Sequence, residues 1–189
     1  MTDSANQITD EQLATQVQQG DKEQFGMLVE RYAAKLSRYG RKFLLSTENI
    51  EDLVQETFLK AYQNIQSFDA KLKFSPWIYR IAHNIFINEI KKQTRHPILG
   101  SLHLDTLLPY LIYEDPAVKE RDRKELKVLM EKGLDKLPPH YREIIVLYYF
   151  EEMDYKNIAD ILHIPTGTVG IRLQRAKKML KKLLPKDAI

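Results

Sequence analysis

The side chains best suited to chemistry fall into three short patterns. The last 24 residues, 166–189, hold seven basic groups against one acidic group. Within them Arg172, Arg175, Lys178 and Lys182 recur on one side of a helical repeat, and Val169, Leu173, Ala176, Leu180 and Leu183 recur on the other. A shorter helical pattern with Ile158, Ala159 and Leu162, opened by Asp154 as a cap, comes just before, joined by the tight turn His163-Ile164-Pro165. A short helix, a turn and a basic helix make a helix-turn-helix, whose second helix can enter a major groove about 12 Å wide and present side chains to base edges. A basic helix lying on a membrane surface would leave the bracing helix unexplained.

The second pattern is Asp52, Gln55 and Glu56, an acidic and polar patch off the apolar stripe of its helix. Asp52 and Glu56 are like charges four residues apart, which weakens an isolated helix by roughly 0.2–0.5 kcal/mol. The third is Arg80, His83, Asn84, Ile87 and Lys91, on the helix that follows a loop over 66–73. Other site chemistry is missing. Five histidines stand at 83, 96, 103, 140 and 163 with no HExxH spacing, and the chain has no cysteine. Phosphate-binding, G-x-S-x-G and dinucleotide fingerprints are absent as well. No metal, no cofactor and no enzymatic activity are expected.

The positioning elements read as helices throughout. A first helix covers Asp10 to Gln19 and stops at Gly20, and Asp21 with Gln24 is set to cap the second. That second helix carries the stripe Phe25, Leu28, Val29, Tyr32, Leu36, Tyr39 and Phe43. Ser46 or Thr47 is expected to cap a third, with Ile50, Leu53, Val54, Phe58, Ala61 and Ile65 inside. Ser75-Pro76 reads as cap and first-turn proline of a fourth that buries Trp77, Ile78, Ile81 and Ile85 and runs to about Lys92, with Phe74 and Tyr79 as its staple. Residues 93–115, broken by Pro97, Gly100 and Pro109, read as a linker whose apolar second half docks on a domain or a partner. Asp115-Pro116 opens a helix with Leu126, Leu129, Met130, Leu134 and Leu137, and Pro138-Pro139 opens another through Phe150.

The expected fold class is all-α: two small helical domains, 1–92 and 116–189, joined by a flexible linker, with a helix-turn-helix in the second. The composition agrees. Of 189 residues 43% are apolar and 29% charged, which excludes wholesale disorder. The cysteine count excludes a disulfide scaffold, no apolar run reaches the ~20 residues of a membrane helix, and the polar N-terminus is unlike a signal peptide. A cytoplasmic protein without membrane insertion is expected. The net charge of +3 conceals two basic blocks, +5 over 71–96 and +6 over 166–189, between acidic stretches. Two such blocks suit two contacts with one polyanion.

The run Asp52-Leu53-Val54-Gln55-Glu56-Thr57-Phe58, followed by Phe74-Ser75-Pro76-Trp77-Ile78-Tyr79-Arg80-Ile81-Ala82-His83-Asn84, resembles the second region of bacterial sigma factors. Leu137-Pro138, Tyr141-Arg142, Ile158-Ala159 and Pro165-Thr166-Gly167-Thr168-Val169 through Arg172 and Arg175-Ala176 resemble the fourth. The order, spacing and length resemble the extracytoplasmic-function (ECF) group from about residue 10 onward. The resemblance implies binding to bacterial core RNA polymerase, promoter recognition and help in opening DNA, with no catalytic site. It places the polymerase contact on Asp52, Gln55 and Glu56. It places −10 recognition on the 66–73 loop and the helix after it: Phe68 as loop wall or stacking residue, Arg80, His83 and Asn84 on the strand, Lys91, Lys92 and Arg95 on phosphates. It places −35 recognition on Thr168, Arg172 and Arg175, with Lys178 on phosphate. The implied partners are core polymerase, promoter DNA as duplex and melted strand, and an anti-sigma factor.

Three residues depart from the family pattern. Gly170 and Ile171 stand where a basic or small polar residue is usual, and a helical glycine costs about 1 kcal/mol relative to alanine. His163 stands where glycine is usual, so a left-handed turn is expected to carry strain there. Two rivals remain from residues alone: an independent helix-turn-helix regulator that binds DNA without polymerase, and an interaction module that uses the acidic surfaces.

Overall fold

A computed structural model describes residues 8–44, 49–93 and 133–183. The described residues form helices and turns, with no strand among them. Helix α1 (Asp10–Gln18) opens on a reciprocal cap: Thr9 Oγ1 accepts from the Gln12 amide at 3.2 Å, and the Thr9 amide donates to Gln12 Oε1 at 2.9 Å. The local signal for this box is Thr9 followed three residues on by Gln12. The helix ends at Gln19 and Gly20, as the sequence implied. Asp10 ties it to helix α2 (Gln24–Phe43), accepting from Arg31 Nη1 at 2.6 Å and from the Tyr32 hydroxyl at 2.6 Å. Asp21 is not a cap. Its carboxylate accepts from the Gln24 side chain at 3.1 Å, while the helix opens from Glu23 with no side-chain cap.

Helix α3 (Ile50–Asn64) buries Ile50, Leu53, Val54, Phe58 and Ala61, and Ile65 follows in a 3-10 turn, Ile65–Ser67. The expected cap at Ser46 or Thr47 lies outside the described residues. Gly40 of α2 lets α3 and α4 close in: a Cβ there would stand 3.3 Å from Ile50 and 3.4 Å from Phe86. Helix α4 (Phe74–Gln93) begins two residues before the proline, so Ser75 and Pro76 lie inside its first turn. The free Phe74 amide is satisfied from α1, donating to Glu11 Oε1 at 3.2 Å.

The second unit begins with a 3-10 turn, Leu134–Lys136, and helix α5 (Pro139–Ile145), which continues as a π-helical turn over Val146–Phe150. Helix α6 (Tyr155–Leu162) and helix α7 (Thr166–Leu183) follow. The linker segment 94–115, the Asp115-Pro116 cap and the stripe Leu126, Leu129 and Met130 lie outside the described residues. Arg142 is 1% exposed, a burial its charge would forbid without partners. Its Nε donates to the Leu134 carbonyl at 2.8 Å and its Nη2 to the Leu137 carbonyl at 2.9 Å, so the guanidinium fastens the entry turn onto α5.

The two units meet. Tyr39 of α2 and His83 of α4 both reach Glu143 of α5, with His83 Nδ1 2.6 Å from Glu143 Oε1 and the Tyr39 hydroxyl donating to the same oxygen. Nearby, Arg38 Nε and Nη2 each donate to Glu151 at 3.3 Å, and the Tyr79 hydroxyl donates to Glu151 Oε2. Lys42 Nζ lies 3.9 Å from the centre of the Phe150 ring. Burial, and then the Glu143 charge, push the Tyr39 phenol well above its ordinary pKa; burial and Glu151 do the same at Tyr79. Both phenols therefore stay protonated donors at neutral pH.

Replacing Arg142 by Leu leaves two buried carbonyls without their donor. The expected cost is about 3 kcal/mol of stability, measured by urea unfolding. Replacing exposed Arg80 by Leu is the control and should change it by less than about 0.5 kcal/mol.

Candidate nucleic-acid interface

The acidic patch is built by register. In α3 the apolar positions turn inward, and the Thr57 hydroxyl is folded back onto the Leu53 carbonyl at 2.8 Å. This leaves Glu51, Asp52, Gln55, Lys60 and Gln63 exposed and Glu56 half-buried. The patch is less negative than its composition suggests, because Glu56 pairs with Lys60 at 2.9 Å. It also carries an apolar element. Leu59 is 63% exposed, in line with Asp52, Gln55 and Glu56. Leu59 is a functional candidate that the charged and polar residues of α3 do not point to; its one sequence signal is a leucine off the buried stripe.

The loop after α3 is fastened at its base. Gln18 Nε2 donates to the Ile65 carbonyl at 2.7 Å and to the Phe68 carbonyl at 2.8 Å, and Gln66 Nε2 returns a bond to the Gln18 carbonyl at 3.0 Å. Phe68 is 5% exposed, with its ring 5.4 Å from Phe74 and 5.3 Å from Trp77. It is the loop's anchor and forms its inner wall; an open stacking platform it is not, because its faces are taken by those two rings. Trp77 packs on the core half-buried. The exposed tip instead offers Lys71, Leu72 and Lys73.

Helix α4 divides its polar residues between two faces. Arg80, Asn84, Lys91 and Lys92 are exposed, the first three at the helical repeat that makes a single stripe. Lys92 pairs with Glu89 at 3.7 Å. His83 does not join them. It points into the seam with the second unit and is held by Glu143, which explains why sequence periodicity placed it with the solvent face: its partner comes from 60 residues away.

The helix-turn-helix forms as the sequence reading described. Asp154 Oδ1 accepts from the Asn157 amide at 2.7 Å to cap α6. His163 ends α6 at φ 53° and ψ 44°, the left-handed conformation, and the Ile164 amide closes back on the Ala159 carbonyl at 3.1 Å. In α7, Val169, Leu173, Ala176 and Leu180 are buried, Arg175, Lys178, Lys181 and Lys182 are exposed, and Thr168 and Arg172 are half-buried. Leu183, expected inside, is 38% exposed, one turn beyond Leu180, the last buried residue of α7 among those described. Lys177 is also turned in, 5.4 Å from the centre of the Tyr149 ring, and burial lowers its pKa. Gly170 faces inward as well, and a Cβ there would meet Tyr155 at an ordinary 3.5 Å. Its departure from the family pattern therefore falls on the packed side of α7 and removes no group from the exposed basic face.

Two substitutions follow. Gly170→Ala should raise the melting temperature by about 2–4 °C, as about 1 kcal/mol of helix propensity is recovered. His163→Gly should add about 0.5–1 kcal/mol by relieving the left-handed turn. Both are read by calorimetry, and neither should weaken duplex binding.

Comparison with known proteins agrees with this geometry. Residues 28–96 match the family model of Sigma-70 region 2, and residues 127–180 match that of Sigma-70, region 4. The chain is 35% identical over 178 residues to the ECF RNA polymerase sigma factor SigW of Bacillus subtilis, covering 89% of this chain and 93% of SigW. It is 35% identical over 182 residues to the ECF RNA polymerase sigma-E factor of Haemophilus influenzae, covering 94% and 96%. Among solved structures it resembles CnrH in complex with the cytosolic domain of CnrY, at a TM-score of 0.66 and 26% identity over 92% of this chain and 96% of that one. It also resembles RpoE of Bartonella quintana in complex with the anti-sigma factor NepR, at a TM-score of 0.64 and 25% identity over 86% and 98%. The helix-turn-helix, the acidic stripe of α3 and the order of the two matched regions thus belong to one family: the chain is a member of the ECF RNA polymerase sigma factors.

Proposed function

We infer that this protein joins bacterial core RNA polymerase, directs it to promoters with −10 and −35 elements, and helps open the DNA there. The observation that carries this reading is the presence, in one chain and in family order, of the exposed acidic stripe of α3 and the exposed basic face of α7. An independent regulator needs only the second of these, and an interaction module needs only the first.

The roles divide by domain, with 1–92 taking polymerase and the −10 element and 116–189 taking the −35 element. Asp52, Gln55 and Glu56 dock on polymerase, with exposed Leu59 supplying apolar contact. Arg80 and Asn84 hold the melted strand beside the 66–73 loop, whose wall is fixed by Phe68, while Lys91 and Lys92 neutralise phosphates. His83 reaches a strand only when the seam with Glu143 is open. Thr168, Arg172 and Arg175 read base edges in the major groove, and Lys178 holds phosphate. No helix among the described residues is long and apolar enough to cross a membrane, in keeping with work on DNA in the cytoplasm. CnrH and RpoE are matched in complexes with CnrY and NepR, which supports control of this chain by an anti-sigma protein.

The test is a native gel with purified core polymerase and transcription from a cognate promoter. Wild type should bind, and Asp52→Lys/Glu56→Lys should lose binding while keeping its helical spectrum. A folded wild type that ignores polymerase would overturn the reading. In the same assay Arg175→Ala should cost about 1–3 kcal/mol on promoters with the matching −35 base and relax preference there. Lys178→Ala should weaken binding evenly across sequences and reduce the salt slope by about 1.

A further inference from the structure

We propose that Ile171 is a specificity-determining residue of the helix-turn-helix, and that it reads the 5-methyl group of a thymine in the major groove. The inference rests on the reading of α7 as the helix that enters the groove at the −35 element, and it names the base chemistry of that site.

Gly170 and Ile171 are neighbours that face opposite ways. Gly170 is buried, and a Cβ there would stand 3.5 Å from Tyr155. Val169, Leu173, Ala176 and Leu180 fill the rest of the packed side. At about 3.6 residues per turn, Ile171 points about 170° away from the mean direction of those side chains. Thr168 precedes it on the same side of the helix, and Gln174, Arg175 and Lys178, all exposed, follow it there. Ile171 therefore stands at the centre of the basic face, within the first two turns of α7, the part of a recognition helix that reaches base edges. Its half-burial is not owed to the core. Among the described residues, the half-buried apolar side chains packed on the core include Leu162, Ile164 and Met179 and do not include Ile171. Arg172, one position on, sits at the flank, half-buried with its Nε out of water.

Chemistry then selects the base. Isoleucine has neither donor nor acceptor. In the major groove guanine offers acceptors, cytosine a donor and adenine one of each, while thymine offers an acceptor and a methyl group. Set against guanine, cytosine or adenine, the Ile171 side chain strips water from polar edges and returns no hydrogen bond. Against thymine, methyl meets methyl and both leave water. The contact is well placed, because a β-branched side chain in a helix holds essentially one χ1 rotamer. A uniformly basic face would hold phosphates on any duplex. An apolar residue at its centre makes binding depend on a thymine beneath it.

Thymine and uracil differ by that methyl group alone, so the test exchanges one for the other. Holoenzyme assembled from the full-length protein and purified core polymerase selects duplexes from a library randomised over the −35 element. Each thymine of the selected element is then replaced singly by deoxyuridine, and binding is measured by gel shift. At one position the exchange should weaken binding of the wild type about four-fold, the worth of one buried methyl group. Ile171→Ser should bind the thymine and uracil duplexes alike at that position. Ile171→Val, which keeps an apolar β-branched side chain, should retain the preference. A selected element without thymine overturns the proposal. Indifference of the wild type to uracil at every position overturns it too, as does an Ile171→Ser protein that keeps the wild-type preference. The same duplexes are run with the protein alone at low salt, where phosphate contacts are strongest. Absence of any polymerase complex marks failure of the sigma-factor reading, and methyl dependence is then still read from the protein alone, so the two failures are distinguishable.

Discussion

The arrangement of the whole molecule turns on one buried carboxylate. Glu143 is almost entirely removed from water, and a carboxylate in that position costs several kcal/mol unless its lone pairs are met. Tyr39 and His83 meet them, one from each of the two long helices of the first domain. The Tyr39 phenol can serve because burial and the neighbouring charge keep its proton in place. Glu151 repeats the device about two turns on with Tyr79 and Arg38, so acids and hydroxyls bring the two domains into register.

This constraint gives α4 three separate surfaces. Ile78, Ala82, Ile85 and Phe86 hold it in the first domain's core. Arg80, Asn84 and Lys91 remain in solvent. Tyr79 and His83 face the second domain. A helix with three employed faces shows only a weak amphipathic pattern, and the apparent solvent face of such a helix divides into an exposed basic surface and an interdomain surface.

The second domain is organised by a comparable pinning of polar groups. Arg142 fixes the entry turn by its carbonyls, Asp154 starts α6, and His163 spends left-handed strain to turn the chain into α7. These three residues set the angle at which α7 presents Arg175 and Lys178. None of them lies on the exposed basic face, but they decide where it points.

The elements were legible from the sequence because their signals are local. Helical spacing of Ile50, Leu53, Val54, Phe58 and Ala61, the Asp154 cap and the basic side of α7 depend on neighbours within a turn or two. The acidic stripe and the helix-turn-helix followed from the same register, and the left-handed turn at His163 from the resemblance, which puts it where glycine is usual. What depends on distant partners was not legible. Phe68 reads as a loop aromatic until Phe74 and Trp77 enclose it. Gly170 reads as a departure at a position usually basic or small and polar until α6 places Tyr155 beside it. His83 reads as solvent-facing until Glu143 arrives from another domain. The sequence alone determined the helices, their order and the two charged faces, because backbone hydrogen bonding and side-chain periodicity are short-range. Only the tertiary structure decided which polar side chains stay in water, because a buried carboxylate draws its partners from wherever in the chain they can reach it.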